Sequence, residues 1–489
     1  GTMTASLAPG EPGSPDKTAA TAAEIAAFVG TAAPADFAVS GDSVVYSGPD
    51  EWSFRRLILH YAHICKAAGG VDAFLIGSEL RGLTTLRSGA SDYPFVEALT
   101  DLAADVRSVL GAATRLSYGA DWSEYFGHQP ADGSGDVHFH LDPLWSAGAI
   151  NFIGIDNYMP LADWRDGSGH LDAAAWDSGR STAYFRANVA GGEGFDWHYA
   201  TAADRTAQER SPITDGAYGK PWVFRPKDLA GWWGNLHYDR PGGVESATPT
   251  GWVPMAKPIW FTELGCPAVD KGANQPNVFP DPKSSASAIP YFSSGRRDDL
   301  VQRRFLETAV RYWDATDDAY VAGSNPLSPV YGGRMVDHER IHLWTWDARP
   351  FPAFPSRLGV WSDGRNFQTG HWLTGRFGAA PADALVARIL ADYGIEDVSV
   401  GELDGIVDGY VVGGLTSARG ALEPLSALLM FEAFESGDTL RFVRRGRKVA
   451  AAIAESDLAD DGDRPLLAIR RAQETELPAE IAIGFTEPY

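Results

Sequence analysis

Two short apolar runs in this chain, Phe74-Leu75-Ile76-Gly77-Ser78 and Ile259-Trp260-Phe261-Thr262, each lead straight into a glutamate, Glu79 and Glu263. Runs of this length without polar alternation fit parallel strands covered on both faces, so each glutamate is set at the end of a buried strand rather than on a solvated helix. The two glutamates are 184 residues apart, room for roughly three or more strand and helix units at about 30 residues each. They therefore belong to different strands and can face one another across a single cleft.

The chain supplies the units such an arrangement needs. An Ala-rich helix is predicted over 18–29. A second, over 52–66, carries an apolar stripe of Phe54, Leu57, Ile58, Tyr61, Ile64 and Cys65, with Asp50 as its cap. A helix over 94–110 leads to a strand over 114–118, and a further strand over 150–156 runs into Asn157 and Tyr158. Helix 299–313 precedes a last strand over 342–346 that carries Trp344 and Trp346. Alternating strands and helices with polar residues at the strand ends predict a (β/α)8 TIM-barrel-like domain, in which chemistry collects at the C-terminal face. Residues 160–256 form a long insertion rich in Trp, Asp and Gly, and loops of that length on a barrel are usually functional.

Near residue 380 the texture changes: tryptophan disappears, a helix is predicted over 382–393 and strands over 409–412 and 439–443. The expected organisation is a barrel domain over 1–380 and a small α+β domain over 381–489. Gly1-Thr2-Met3 reads as an appended remnant and Glu487-Pro488-Tyr489 as a ragged end, so the chain is expected to be part of a longer protein.

Composition narrows the partners. A net charge of −23 leaves no clustered Lys and Arg for a nucleic-acid surface. No apolar run reaches the length of a membrane-spanning helix and no signal peptide opens the chain, so no membrane insertion is expected. Two cysteines, Cys65 and Cys266, cannot build a disulfide framework. Sixteen tryptophans exceed what a core of this size requires, and they serve either as walls for a sugar cleft or as packing.

Hydrolysis of a glycosidic bond requires one carboxylic acid to protonate the leaving oxygen and one carboxylate to attack or to activate water. Glu79 and Glu263 are the best pair for this, the competing role being a strand-end glutamate tied to an arginine such as Arg81. Asp156, Asn157 and Tyr158 end another strand and are candidates to bind sugar hydroxyls, or for Tyr158 to orient Glu263. Asp121 and Trp122 hold a similar position, and Trp344 or Trp346 is placed to floor the sugar ring. His138 and His140, at i and i+2, with Asp142 nearby, are expected to be packing residues because no further ligand spacing accompanies them; neither metal nor cofactor is expected.

The endings Ile76-Gly77-Ser78-Glu79, Phe152-Ile153-Gly154-Ile155-Asp156-Asn157-Tyr158 and Pro258-Ile259-Trp260-Phe261-Thr262-Glu263-Leu264-Gly265 resemble the fourth, sixth and seventh strand endings of the large retaining clan of barrel glycosidases. That resemblance implies Glu79 as acid/base and Glu263 as nucleophile. Ser78 stands where the clan usually has Asn. If Glu79 ends a fourth strand, only one convincing strand, Ser43 to Tyr46, precedes it, so either the barrel is irregular or its first strands lie upstream.

Three longer runs are similar to the glycoside-hydrolase-like barrel of gene transfer agent and phage tail baseplate proteins, over roughly residues 10–375. They are Asp121-Trp122-Ser123-Glu124-Tyr125-Phe126-Gly127-His128, Thr214-Asp215-Gly216-Ala217-Tyr218-Gly219-Lys220-Pro221-Trp222 and Glu263-Leu264-Gly265-Cys266-Pro267-Ala268-Val269-Asp270-Lys271-Gly272. Gly401-Glu402-Leu403-Asp404-Gly405 and Val407-Asp408-Gly409-Tyr410 resemble the tail hub domain that follows that barrel. The resemblance implies a virion or gene-transfer-agent particle component of the tail baseplate, made in the bacterial cytoplasm. Its implied partners are other tail and baseplate proteins and a bacterial surface polysaccharide or peptidoglycan. A non-catalytic glycan-binding or structural baseplate module is the alternative.

Overall fold

The computed structural model describes residues 13–281, 287–376, 378–445 and 452–458, together with 471, 473 and 480; Gly1-Thr2-Met3 and Glu487-Pro488-Tyr489 lie outside these. Contacts divide the chain into two compact units, one of residues 1–347 and 366–372, the other of 348–365 and 373–489.

The first unit is built on a five-stranded parallel sheet whose strands, β1 (Ala73–Ser78), β2 (Arg115–Asp121), β3 (Ile153–Asn157), β4 (Ile259–Leu264) and β5 (Val336–Leu343), neighbour one another in chain order. Parallel neighbours in sequence require crossovers. Helix α3 (Pro94–Leu110) supplies the first and helix α4 (Asp299–Trp313) the last, while α1 (Ala19–Val29) and α2 (Phe54–Ala67) precede β1. This is the α/β architecture that the strand and helix alternation predicts, with five sequential strands of a TIM-barrel-like layout. Among the described residues the sheet does not close into a barrel.

Local chemistry sets these elements. In α3, Pro94 occupies the first turn, where its missing N–H costs nothing. Phe95, Leu99, Leu102, Val106 and Val109 form the buried stripe, and Gly111 at φ 76° ends the helix. Ser53, not Asp50, caps α2 by accepting the Arg56 N–H at 3.2 Å. Asp298 caps α4 through the Val301 N–H.

The last strand differs from its predicted span. It begins at Val336 and stops at Leu343, so Trp344 and Trp346 follow it rather than belong to it. Asp337, His338, Glu339 and Arg340 interrupt any apolar run there, which fits an edge strand kept from pairing with other chains by its charges. Ser43–Tyr46 is a strand, but it pairs antiparallel with Phe37–Ser40 in a separate hairpin and takes no part in the parallel sheet.

The insertion over 160–256 is a set of short helices, including Thr182–Ala187 and Leu229–Gly234, around buried Trp222, Trp232, Trp233 and Trp252. Trp145, Trp260 and Trp313 are buried as well, so much of the tryptophan excess is spent on packing. Among the described residues no helix is long and apolar enough to cross a membrane.

In the second unit, helices α5 (Ala382–Asp392) and α6 (Ala418–Leu429) and strands β6 (Val398–Val400), β7 (Phe431–Ser436) and β8 (Thr439–Arg444) share one core. Val386, Leu390, Leu403, Leu425, Phe431 and Phe442 fill it. Strand β8 lies between β6, parallel to it, and β7, antiparallel. Residues 409–412 are not a strand. Tyr410 instead donates its hydroxyl proton to the Ala421 carbonyl at 2.6 Å.

Candidate active site

Register brings the predicted acids together. Asp121 of β2 is paired with Asp156 of β3, and Asp156 with Glu263 of β4, while Ser78 at the end of β1 is paired with Gly119. The pairing is irregular between Leu75 and Ser78 and again between Ile155 and Asp156. Glu79 follows β1 in a left-handed backbone conformation (φ 51°), uncommon for a residue with a side chain. Its N–H donates to the Gly119 carbonyl at 2.8 Å, and the Leu80 N–H to the Tyr118 hydroxyl oxygen at 2.6 Å.

Carboxylate oxygens of Glu79, Asp156 and Glu263 all lie within 4.8 Å of one another. These three are also the acids that, among the described residues, stand close enough together to share a cation. Asp156, fully buried, accepts from Ser78 Oγ at 2.8 Å and Thr262 Oγ1 at 2.6 Å. Tyr158 donates its hydroxyl proton to Glu263 Oε2 at 2.6 Å. Glu79 and Glu263 are half-buried, and among the described residues no Lys or Arg is paired with either; Arg81 does not tie up Glu79.

Burial without a counter-charge raises all three acids. Burial pushes Glu79 up to about 8, helped by the neighbouring Asp156, Asp121 and Glu263. Burial and Asp156 push Glu263 up to about 7, against the Tyr158 hydrogen bond, which favours its ionised form. Asp156 reaches about 6 because burial outweighs the Thr262 and Ser78 hydroxyls.

The remaining predicted residues divide. Asn157 is buried and its Oδ1 accepts the Met159 N–H at 3.2 Å, a turn-capping role. Asp121 holds the Ser123 N–H and hydroxyl at the turn leaving β2. Trp122 is half-buried, and its N–H donates to the Asp156 carbonyl at 3.1 Å. Trp344 and Trp346 expose 44% and 63% of their surface, so neither is spent on core packing. Asp142 accepts from His237 Nδ1 at 2.9 Å rather than joining His138 and His140, whose rings pack on Tyr93.

Two residues of the site carry no signal in the strand pattern. Glu124 is fully buried, against Tyr118 and Thr84. Gly265 sits where a Cβ would come within 2.8 Å of the Tyr158 ring, 2.9 Å of His371 and 2.9 Å of the Trp344 carbonyl oxygen, so the approach of these three elements requires glycine.

Comparison with known families gives the chain its class. A family model described as the GTA TIM-barrel-like domain matches residues 52–355, and one for phage tail proteins matches 417–489. No curated protein matches it. Matched over more than half its length, the chain belongs to the GTA TIM-barrel-like domain family of gene transfer agents, and it carries that domain together with a phage tail domain.

Proposed function

We propose that this chain is a retaining glycoside hydrolase of a phage-like tail baseplate, acting on a bacterial cell-surface or cell-wall glycan. One observation carries the reading: the carboxylate oxygens of Glu79 and Glu263, on different strands, come within 4.8 Å with no cation paired to either among the described residues. Retaining enzymes hold their two carboxyl groups about 5–5.5 Å apart, whereas inverting enzymes leave roughly 6.5–9.5 Å for a water between them.

The electrostatics support a division of roles. Glu79, the higher of the two at about 8, keeps its proton at neutral pH and gives it to the leaving oxygen. Glu263, at about 7 and receiving the Tyr158 proton, ionises first and attacks the anomeric carbon. A water then releases the glycosyl group from Glu263, with Glu79, now a carboxylate, taking the water's proton. Trp344 and Trp346, exposed beyond β5, offer faces on which sugar rings stack.

A second reading, a glycan-binding or structural baseplate module without turnover, has its own observation. Ser78, which stands where the related clan usually has Asn, is engaged with Asp156 at 2.8 Å. Release of reducing ends from bacterial surface polysaccharides and peptidoglycan separates the two. The hydrolase reading expects release that disappears in both Glu79→Gln and Glu263→Gln. Binding without release by all three proteins supports the second.

A further inference from the structure

We infer that Tyr118 and Glu124 are positioning residues for Glu79, fixing its left-handed backbone through the Leu80 N–H; this rests on the reading of Glu79 as the acid/base. The residue after β1 carries φ 51°, a conformation that persists only when its surroundings fix it. One anchor is the Glu79 N–H on Gly119. The other is a chain of donors: the Leu80 N–H gives to Tyr118 Oη at 2.6 Å, and Tyr118 gives its own proton to Glu124 at 3.1 Å.

Glu124 also accepts from Thr84 Oγ1 and from the Asp121 N–H at 3.2 Å. It therefore joins the segment after β1 to both the middle and the end of β2. Glu124 and Tyr118 are each 0% exposed, and among the described residues no Lys or Arg neutralises Glu124. A buried carboxylate held only by neutral donors is an expensive way to fasten a loop. Burial raises Glu124 itself to about 7, and it is the last of four acids whose charge raises Glu79, after Asp156, Asp121 and Glu263.

The test reads Glu79 directly, with or without turnover. Amide hydrogen exchange at Leu80 and the carbon-13 NMR titration of the Glu79 carboxyl are compared in wild type, Tyr118→Phe, Glu124→Ala and Glu124→Gln, with the Val106 amide as a control for global opening. Tyr118→Phe and Glu124→Ala are expected to speed Leu80 exchange about tenfold, the scale of one hydrogen bond, with Val106 unchanged. Glu124→Gln, which keeps an acceptor, preserves Leu80 protection but lowers the Glu79 titration midpoint. If the wild type hydrolyses a glycan, Tyr118→Phe and Glu124→Ala lower kcat and leave KM in place. Unchanged Leu80 exchange and an unchanged Glu79 midpoint in all three variants overturn the inference. Absence of turnover in wild type, with both shifts present, overturns only the hydrolase reading.

Discussion

Buried acids occur in two regions of the first unit, and they are treated in opposite ways. In the insertion, three of them are met by arginine. Asp163 accepts from Arg210 at 2.8 Å, Glu193 from Arg205 at 2.5 Å and Asp215 from Arg240 at 2.9 Å. Burial pushes Asp215 up, but Arg240 and the N–H groups of Lys220 and Tyr218 outweigh it and hold the carboxyl below its ordinary value. At the strand ends Glu79, Asp156 and Glu263 receive hydroxyl protons or none, and all three are raised. Paired acids fasten the insertion, whereas the unpaired ones are kept at a cost to stability, as expected of groups retained for chemistry.

The sharpest way to break this contrast is to neutralise the unpaired acids and to remove the cation of a paired one. Glu79→Gln and Glu263→Gln are expected to lower glycan hydrolysis by about 10²–10⁴-fold and to raise the Tm at neutral pH, because each removes an acid whose ionisation burial penalises. The pH dependence carries the same sign. A carboxyl raised in the folded state binds its proton more tightly there than in the unfolded chain. Its contribution therefore favours folding at low pH and is lost as pH rises from the ordinary carboxylate range toward about 8. Wild-type stability should fall over that window relative to Glu79→Gln, as followed by denaturant melts at a series of pH values. Hydrolysis should be bell-shaped, with limbs near 7 for Glu263 and near 8 for Glu79.

Arg240→Ala tests the other side. Its side chain and that of Asp215 are 3% and 4% exposed, so removing the cation strands the acid. A loss of about 3–5 kcal/mol in unfolding free energy is expected. Smaller effects refine the site itself. Tyr158→Phe removes the proton donor that favours ionised Glu263. It should push that carboxyl up, move the acid limb of the pH profile upward and lower kcat/KM by about tenfold or somewhat more, the worth of a hydrogen bond to a charge. Trp346→Ala should leave stability within about 0.5 kcal/mol. Its effect should appear in glycan affinity by titration calorimetry, at about tenfold or less.

The sequence and the structure agree where one signal dominates. Helices Pro94–Leu110 and Asp299–Trp313 have the predicted bounds because apolar periodicity coincides with a start and stop residue. Glu79, Asp156, Tyr158 and Glu263 meet because parallel strands in sequential order align their ends. Strand β5 is longer than predicted because its pairing with β4 is made by the backbone, which charged side chains do not advertise. Trp222, Trp232, Trp233 and Trp252 of the insertion look like cleft walls in composition and are core in space, since composition cannot tell a face offered to a sugar from one offered to Phe139 or His237. Glu124 was invisible for a related reason: it acts through Tyr118, and contacts made between turns leave no period to read.

Gly265 bears on how this protein can change. The Tyr158 ring, the Trp344 carbonyl just beyond the edge strand and the His371 ring converge on a position that has no side chain to contribute. A survey of tolerated substitutions should show a gap there as deep as any at the glutamates, although position 265 brings no functional group to the cleft. Drift in the exposed tryptophans meets no such packing constraint. Drift at this residue is barred, because even one added methyl would pry Tyr158 from its partner.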